Sequence, residues 1–106
     1  MSRQFGLRVR YAGVDKGLYP LKEERTAVGR GLAGRADICV EEPLVSGGKH
    51  FFIDWDAETQ CHVLKDLGHP NRIQVNGVEV GDRATLRLCD GDEITIGQSI
   101  YRYEAL

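Results

Sequence analysis

The chain has 106 residues, enough for one domain whose hydrophobic core stands without disulfide or metal staples. Its 42% hydrophobic and 28% charged content excludes disorder, and a formal net charge of -2 argues against a global field drawing it to nucleic acid or an anionic membrane. No apolar run reaches transmembrane length and Met1-Ser2-Arg3-Gln4 leads into no signal-like apolar block, so the expected setting is cytoplasmic, with no membrane partner.

Phe5, Leu7 and Val9 alternate with Gly6, Arg8 and Arg10, the period of a half-buried strand. Gly13 to Gly17 is expected to turn the chain into a short strand at Leu18–Leu21. A third strand over Thr26–Val28 ends in Gly29-Arg30, and the glycine-rich run Gly29–Arg35 must be a loop. Asp37–Val40 returns to strand character until Pro43 breaks it. Ser46-Gly47-Gly48-Lys49 makes a second loop before the apolar strand His50–Trp55, and Asp56–Thr59 turns the chain into Cys61–Lys65.

Asp66 to Gly77 then carries two turns. Gly68, Pro70 and Asn71 suit a long polar loop, whereas Asn76-Gly77, between Ile73–Val75 and Val78–Val80, is a strong signal for a two-residue hairpin. Gly81-Asp82 and Asp90-Gly91 flank Leu86–Leu88, and Glu93–Ile96 and Ile100–Tyr103 complete the chain. No window of helical length sustains an i, i+3, i+4 apolar pattern. About 10–11 short strands with regular turn signals predict an all-β antiparallel sandwich, with function carried on its end loops.

The 3 cysteines, Cys39, Cys61 and Cys89, each stand apart beside apolar strand residues without a C-x-x-C pair. They read as small apolar residues in a reducing compartment, and no ligands cluster at metal spacing. Gly29 to Gly34 is formally G-x-G-x-x-G, but the dinucleotide fingerprint needs a helix after its glycines and a strand follows here. Ser46-Gly47-Gly48-Lys49 fails as a P-loop, because Pro43 takes the first glycine position and His50 the magnesium-binding hydroxyl. Ser2, Ser46 and Ser99 lack a nucleophile's surroundings, His62 alternates within a strand as a hydrogen-bonded histidine would, and the acidic residues are unpaired. Neither an enzyme nor a cofactor is expected. What remains is Arg30, Arg35, Lys49, His69 and Arg72 on three glycine-bearing loops. Gathered at one end of a sandwich, they would form an anion-binding concavity of backbone N–H groups and guanidinium forks.

These landmarks resemble the forkhead-associated (FHA) domain, a β-sandwich family that recognises phosphothreonine in peptides. Gly29-Arg30 resembles its G-R, His50 the histidine of its S-R-x-H, and Asp66 to Gly77 its D-L-G-S-T-N-G-T-x-V-N-G. Leu88 to Gly97 is similar to its closing L-x-D-G-D-x-I-x-I-G. The resemblance spans Leu18 to Tyr103 and implies a single domain over residues 1–106 with its core at about 5–104. It implies that Arg30 contacts phosphate, Asn71 holds the peptide main chain, and His50 braces the loops from within. Gly29, Asn76 and Gly77 would support the loop structure. The second loop departs from the family pattern. Counted without a gap, Gly47 and Gly48 replace the serine and arginine; with one extra residue, Ser46 reaches the phosphate from a bulge. His69 replaces a hydroxyl residue, and Arg72 a glycine. Backbone N–H groups of Gly47 and Gly48, with Lys49, a charged His69 and Arg72, would compensate.

The implied function is a non-catalytic signalling module, monomeric as an isolated domain, whose partner is a substrate of a serine/threonine kinase. The alternative is a degenerate FHA scaffold that docks partners independently of phosphate, as in a bacterial secretion or signalling assembly.

Overall fold

Alternation decides the architecture: each strand with apolar residues at every second position has one face to cover, and two such sheets cover each other. The computed structural model describes residues 4–30, 36–42, 49–68, 71–81 and 83–106. Eleven strands form among them: β1 (Phe5–Tyr11), β2 (Val14–Pro20), β3 (Arg25–Arg30), β4 (Ile38–Val40), β5 (Phe51–Asp56), β6 (Cys61–Asp66), β7 (Gln74–Val75), β8 (Val78–Glu79), β9 (Thr85–Arg87), β10 (Glu93–Ile96) and β11 (Ser99–Ala105). They make a six-stranded sheet in the order β2-β1-β11-β10-β7-β8 and a five-stranded sheet in the order β4-β3-β5-β6-β9. The fold is the expected all-β sandwich, antiparallel except for the β3–β4 pair, which is parallel. No helix among the described residues is long and apolar enough to cross a membrane.

Leu7 and Val9 of β1, Val28 of β3, Phe51 and Ile53 of β5, Leu64 of β6, and Ile94 and Ile96 of β10 point between the sheets and are at most 1% exposed. Burying each such side chain contributes roughly 1.5–3 kcal/mol before conformational entropy is charged against it. Tyr101 and Tyr103 of β11 complete the layer. At one end of the core, His62 is 3% exposed beside Phe5, Trp55 and Tyr103, its Nδ1 2.6 Å from the Tyr103 hydroxyl. Its alternation predicts a hydrogen-bonded histidine, and the packing places it in the core.

Two stretches differ most from the sequence reading. Gly29 and Arg30, expected at the start of the glycine-rich loop, are the last residues of β3, kept extended by pairing with Cys39 and Val40 of β4. The second strand starts at Val14, and the expected Gly13–Gly17 turn tightens to Ala12-Gly13, both with positive φ. Gly17 lies inside β2, where the β1–β2 register shifts at Val9/Arg10, and its φ of 106° belongs to a bulge. A glycine in a strand marks a bulge as readily as a turn.

Candidate functional site

Three chain segments meet on His50, which is 0% exposed. Its backbone N–H donates to the Val28 carbonyl of β3 at 2.7 Å, two residues before Arg30 ends that strand. Its carbonyl accepts from the Leu67 N–H at 3.4 Å, at the start of the loop after β6. Its Nε2 lies 3.0 Å from the Asn71 carbonyl further along the same loop. A carbonyl oxygen only accepts, so Nε2 carries the hydrogen and the bond fixes the tautomer. His50 thus ties the end of β3, the entry to β5 and the loop between β6 and β7 into a single unit, through its backbone to Val28 and Leu67 and through its imidazole to Asn71.

Carboxylates fasten the flanks of these loops. Asp66, 5% exposed, accepts from the N–H groups of Arg83 at 2.9 Å and Gly68 at 3.3 Å through Oδ2. Beyond Asn71, the side chain of Ile73 plugs the core at 0% exposure and its carbonyl accepts from the Val80 N–H at 2.8 Å. Asn76 and Gly77 have φ of 52° and 81°, the left-handed pair that a type I′ hairpin requires. The Asn76 amide donates to Asp92 Oδ1 at 2.9 Å and accepts from the Glu93 N–H at 3.0 Å, locking this hairpin to β10. Near β4, Asp37 exchanges two hydrogen bonds with the Ala27 backbone, at 2.8 and 2.9 Å, and pairs with Lys22. The Lys22 ammonium, then the Ala27 N–H, and more distantly Lys49, hold its carboxyl below the usual range.

The FHA domain family model matches residues 26–97. The chain belongs to the FHA domain family. It is therefore a member of a family of protein-interaction modules. This FHA domain is 29% identical to the FhaA FHA domain solved in complex with the intracellular domain of Rv3910, with a TM-score of 0.77 covering 94% of this chain and 99% of that one. An FHA domain from a structural and functional study of phosphothreonine-dependent FHA interactions is 28% identical, with a TM-score of 0.79 and 97% of each chain covered. The FHA domain of an Arabidopsis thaliana hypothetical protein, at 22% identity, matches in fold with a TM-score of 0.84 over 99% of this chain and 87% of its own. Comparison with curated proteins finds no match.

Of the residues the sequence singled out in this FHA domain, His50 is buried as the brace of the loops. Gly29 pairs with Cys39 within the β3–β4 ladder. Arg30 is half-buried at the end of β3; Lys49, Asn71 and Arg72 are exposed on segments that His50 links. Ser46, Gly47, Gly48 and His69 lie outside the described residues, as does Arg35. The carboxylates of Asp37, Asp66 and Asp92 are the site's fastenings, a role that the sequence reading assigned to none of them. The signal was slight: an Asp beside a strand end, the position from which a short carboxylate reaches backbone N–H groups. Among the described residues no three His, Cys, Asp or Glu side chains gather as a metal site.

Proposed function

We propose that this FHA domain reads phosphothreonine-containing peptides at the loop end organised by His50. The observation that carries the reading is buried His50, whose backbone bonds Val28 and Leu67 and whose imidazole bonds Asn71, joining the segments that bear Arg30, Lys49, Asn71 and Arg72. Preorganised loops spare a peptide the cost of ordering them on binding. A relative at 28% identity comes from work on phosphothreonine-dependent interactions, and one at 29% was solved with a protein partner.

In this reading Arg30 is the phosphate anchor, its planar fork matching two phosphate oxygens. Asn71 clamps the peptide main chain with its amide while its own carbonyl is held by His50. Lys49 and Arg72 add positive charge beside the phosphate, and Ser46, Gly47, Gly48 and His69 complete its surroundings. The partner is a protein phosphorylated by a serine/threonine kinase.

The test is a titration with degenerate peptide libraries carrying phosphothreonine, threonine or phosphoserine at the fixed position, repeated with Arg30→Ala. Binding should be saturable for phosphothreonine alone. Arg30→Ala should weaken it about 10- to 150-fold, the range for losing a charge-assisted hydrogen bond of roughly 1.5–3 kcal/mol. Equal binding of the unphosphorylated library would overturn the reading and leave a scaffold that docks without phosphate.

A further inference from the structure

Two of the three cysteines, isolated in the sequence, face each other across a pair of strands. β6 and β9 pair antiparallel with Val63 opposite Arg87, Leu64 opposite Leu86 and Lys65 opposite Thr85. Hydrogen bonds from Asp66 N–H to the Ala84 carbonyl at 3.0 Å and from Leu88 N–H to the His62 carbonyl at 2.9 Å extend this register in both directions. The paired ladder ends at Val63–Arg87, and the same register continued two steps past it sets Cys61 opposite Cys89. Counted by twos from Val63–Arg87, which the Leu88-to-His62 bond marks as a non-hydrogen-bonded pair, 61/89 falls on the same kind of position, in which side chains approach most closely. Facing Cα atoms in pairs of this kind are typically about 4.5 Å apart, within the roughly 4.4–6.8 Å that a disulfide spans.

The side chains share a face as well as a register. His62, Leu64 and Leu88 turn inward and are at most 3% exposed, so their neighbours Cys61 and Cys89 turn to the outer face of the sheet. Both thiols are free; Cys61 is half-buried and Cys89 exposed. The Thr59 hydroxyl sits 3.0 Å from Cys61 Sγ, where it can donate to a thiolate. Asp56 lies opposite Cys61 on β5 and Asp90 follows Cys89, so carboxylates border the pair. They oppose an anionic disulfide such as oxidised glutathione more than a neutral oxidant.

We propose that Cys61 and Cys89 form a reversible cross-strand disulfide, a redox modification site on the edge of the five-stranded sheet. A hydroperoxide is the oxidant class. One thiolate attacks its O–O bond and becomes a sulfenic acid while hydroxide leaves. The second sulfur then displaces the sulfenic oxygen, which departs as water. With hydrogen peroxide, two thiols and one peroxide give one disulfide and two waters, and a dithiol reductant reverses the exchange. The bond staples the three-residue edge strand β9 to β6 and closes a loop containing the whole segment from Asp66 to Gly77. It also fixes the turn in which Asp92 accepts from the Cys89 N–H at 2.8 Å and from the Asn76 amide. The pairing stands whether or not the domain reads phosphate.

The experiment exposes the reduced full chain to equimolar hydrogen peroxide at neutral pH, then alkylates it and maps the peptides by mass. The expected product is a monomer lighter by two hydrogens, with Cys61 linked to Cys89, Cys39 still alkylated and full reversal by dithiothreitol. Its melting temperature should rise by about 5–15 °C, as a long closed loop predicts. Cys39→Ser should behave as the parent, whereas Cys61→Ser and Cys89→Ser, each at a position with some exposure, should fold but neither link nor gain stability. Disulfide dimers through Cys89, a link involving Cys39, or over-oxidation of Cys89 with Cys61 still alkylatable would each overturn the proposal.

Discussion

His50 exposes none of its surface, and its hydrogen bonds join its own segment to the end of β3 and to two points of the loop after β6. Truncation to alanine would leave a cavity beside Phe51 and strand the Asn71 carbonyl. His50→Ala should therefore cost about 2–4 kcal/mol in urea unfolding and weaken phosphopeptide binding although it touches no ligand; an unchanged unfolding midpoint would contradict that role. Tyr101 supplies the opposite case. Its ring is fully buried, but among the described residues its hydroxyl has no well-formed hydrogen bond, because the nearby Ser99 hydroxyl donates to the Ile96 carbonyl at 2.7 Å. Burial pushes the Tyr101 phenol far above its usual pKa, so it stays neutral. Tyr101→Phe removes an unsatisfied buried group and should leave stability unchanged or raise it by up to about 1 kcal/mol; a clear loss in melting temperature would show a partner at work. At this scale the sequence was readable where a residue's task is local, as with the alternation of His62. The bracing task of His50 came from resemblance alone, because its partners Val28, Leu67 and Asn71 are remote in the chain.

Among the elements, the Asn76-Gly77 hairpin was legible because two adjacent residues specify its geometry, and its type I′ angles followed. The start of β2 was not, since Gly17 gives the same local signal in a bulge as in a turn. The parallel β3–β4 pair was equally hidden, as pairing direction depends on a crossover that no local pattern encodes. The β10–β11 turn shows what long-range packing adds. Gly97 has φ of 57°, and a Cβ there would lie 2.7 Å from the Glu42 carboxylate, which is 4% exposed and accepts from the Gln98 N–H at 2.8 Å. Gly91 also has positive φ, at 93°, but open space around it. Both alanine substitutions carry backbone strain of order 1 kcal/mol, and only Gly97→Ala adds a collision. It should cost about 1–3 kcal/mol more than Gly91→Ala by denaturant unfolding; equal costs would show that Glu42 moves aside freely.

Over the whole molecule, titration should follow groups whose surroundings shift them in one direction. The Arg25 guanidinium, aided by Lys65, holds the Asp54 carboxyl below its ordinary 3.8, and Lys22 does the same for Asp37. Burial lowers His62 below its ordinary 6.5. In the unfolded chain the histidine takes up its proton near 6.5 while the folded one resists, so stability is lost as pH falls through and below that value. The carboxylates add stability that is present above 3.8 and lost as pH falls through their lower folded values. Melting temperature should thus decline from about pH 6.5 and more steeply below about pH 4. His62→Gln should flatten the first decline and leave the second; an unaltered upper limb would contradict the assignment. The sandwich as a whole was legible because strand period and turn chemistry recur along the entire chain, whereas the facing of Cys61 and Cys89 depends on a register set by distant residues. The most direct test of the central claim is an NMR titration of the labelled domain with a phosphothreonine peptide selected from the library. The backbone amides of Arg30, Lys49, Asn71 and Arg72 should shift together and saturate together. Saturable shifts confined to β2 or to β8 and β9, or identical shifts with the unphosphorylated peptide, would contradict it.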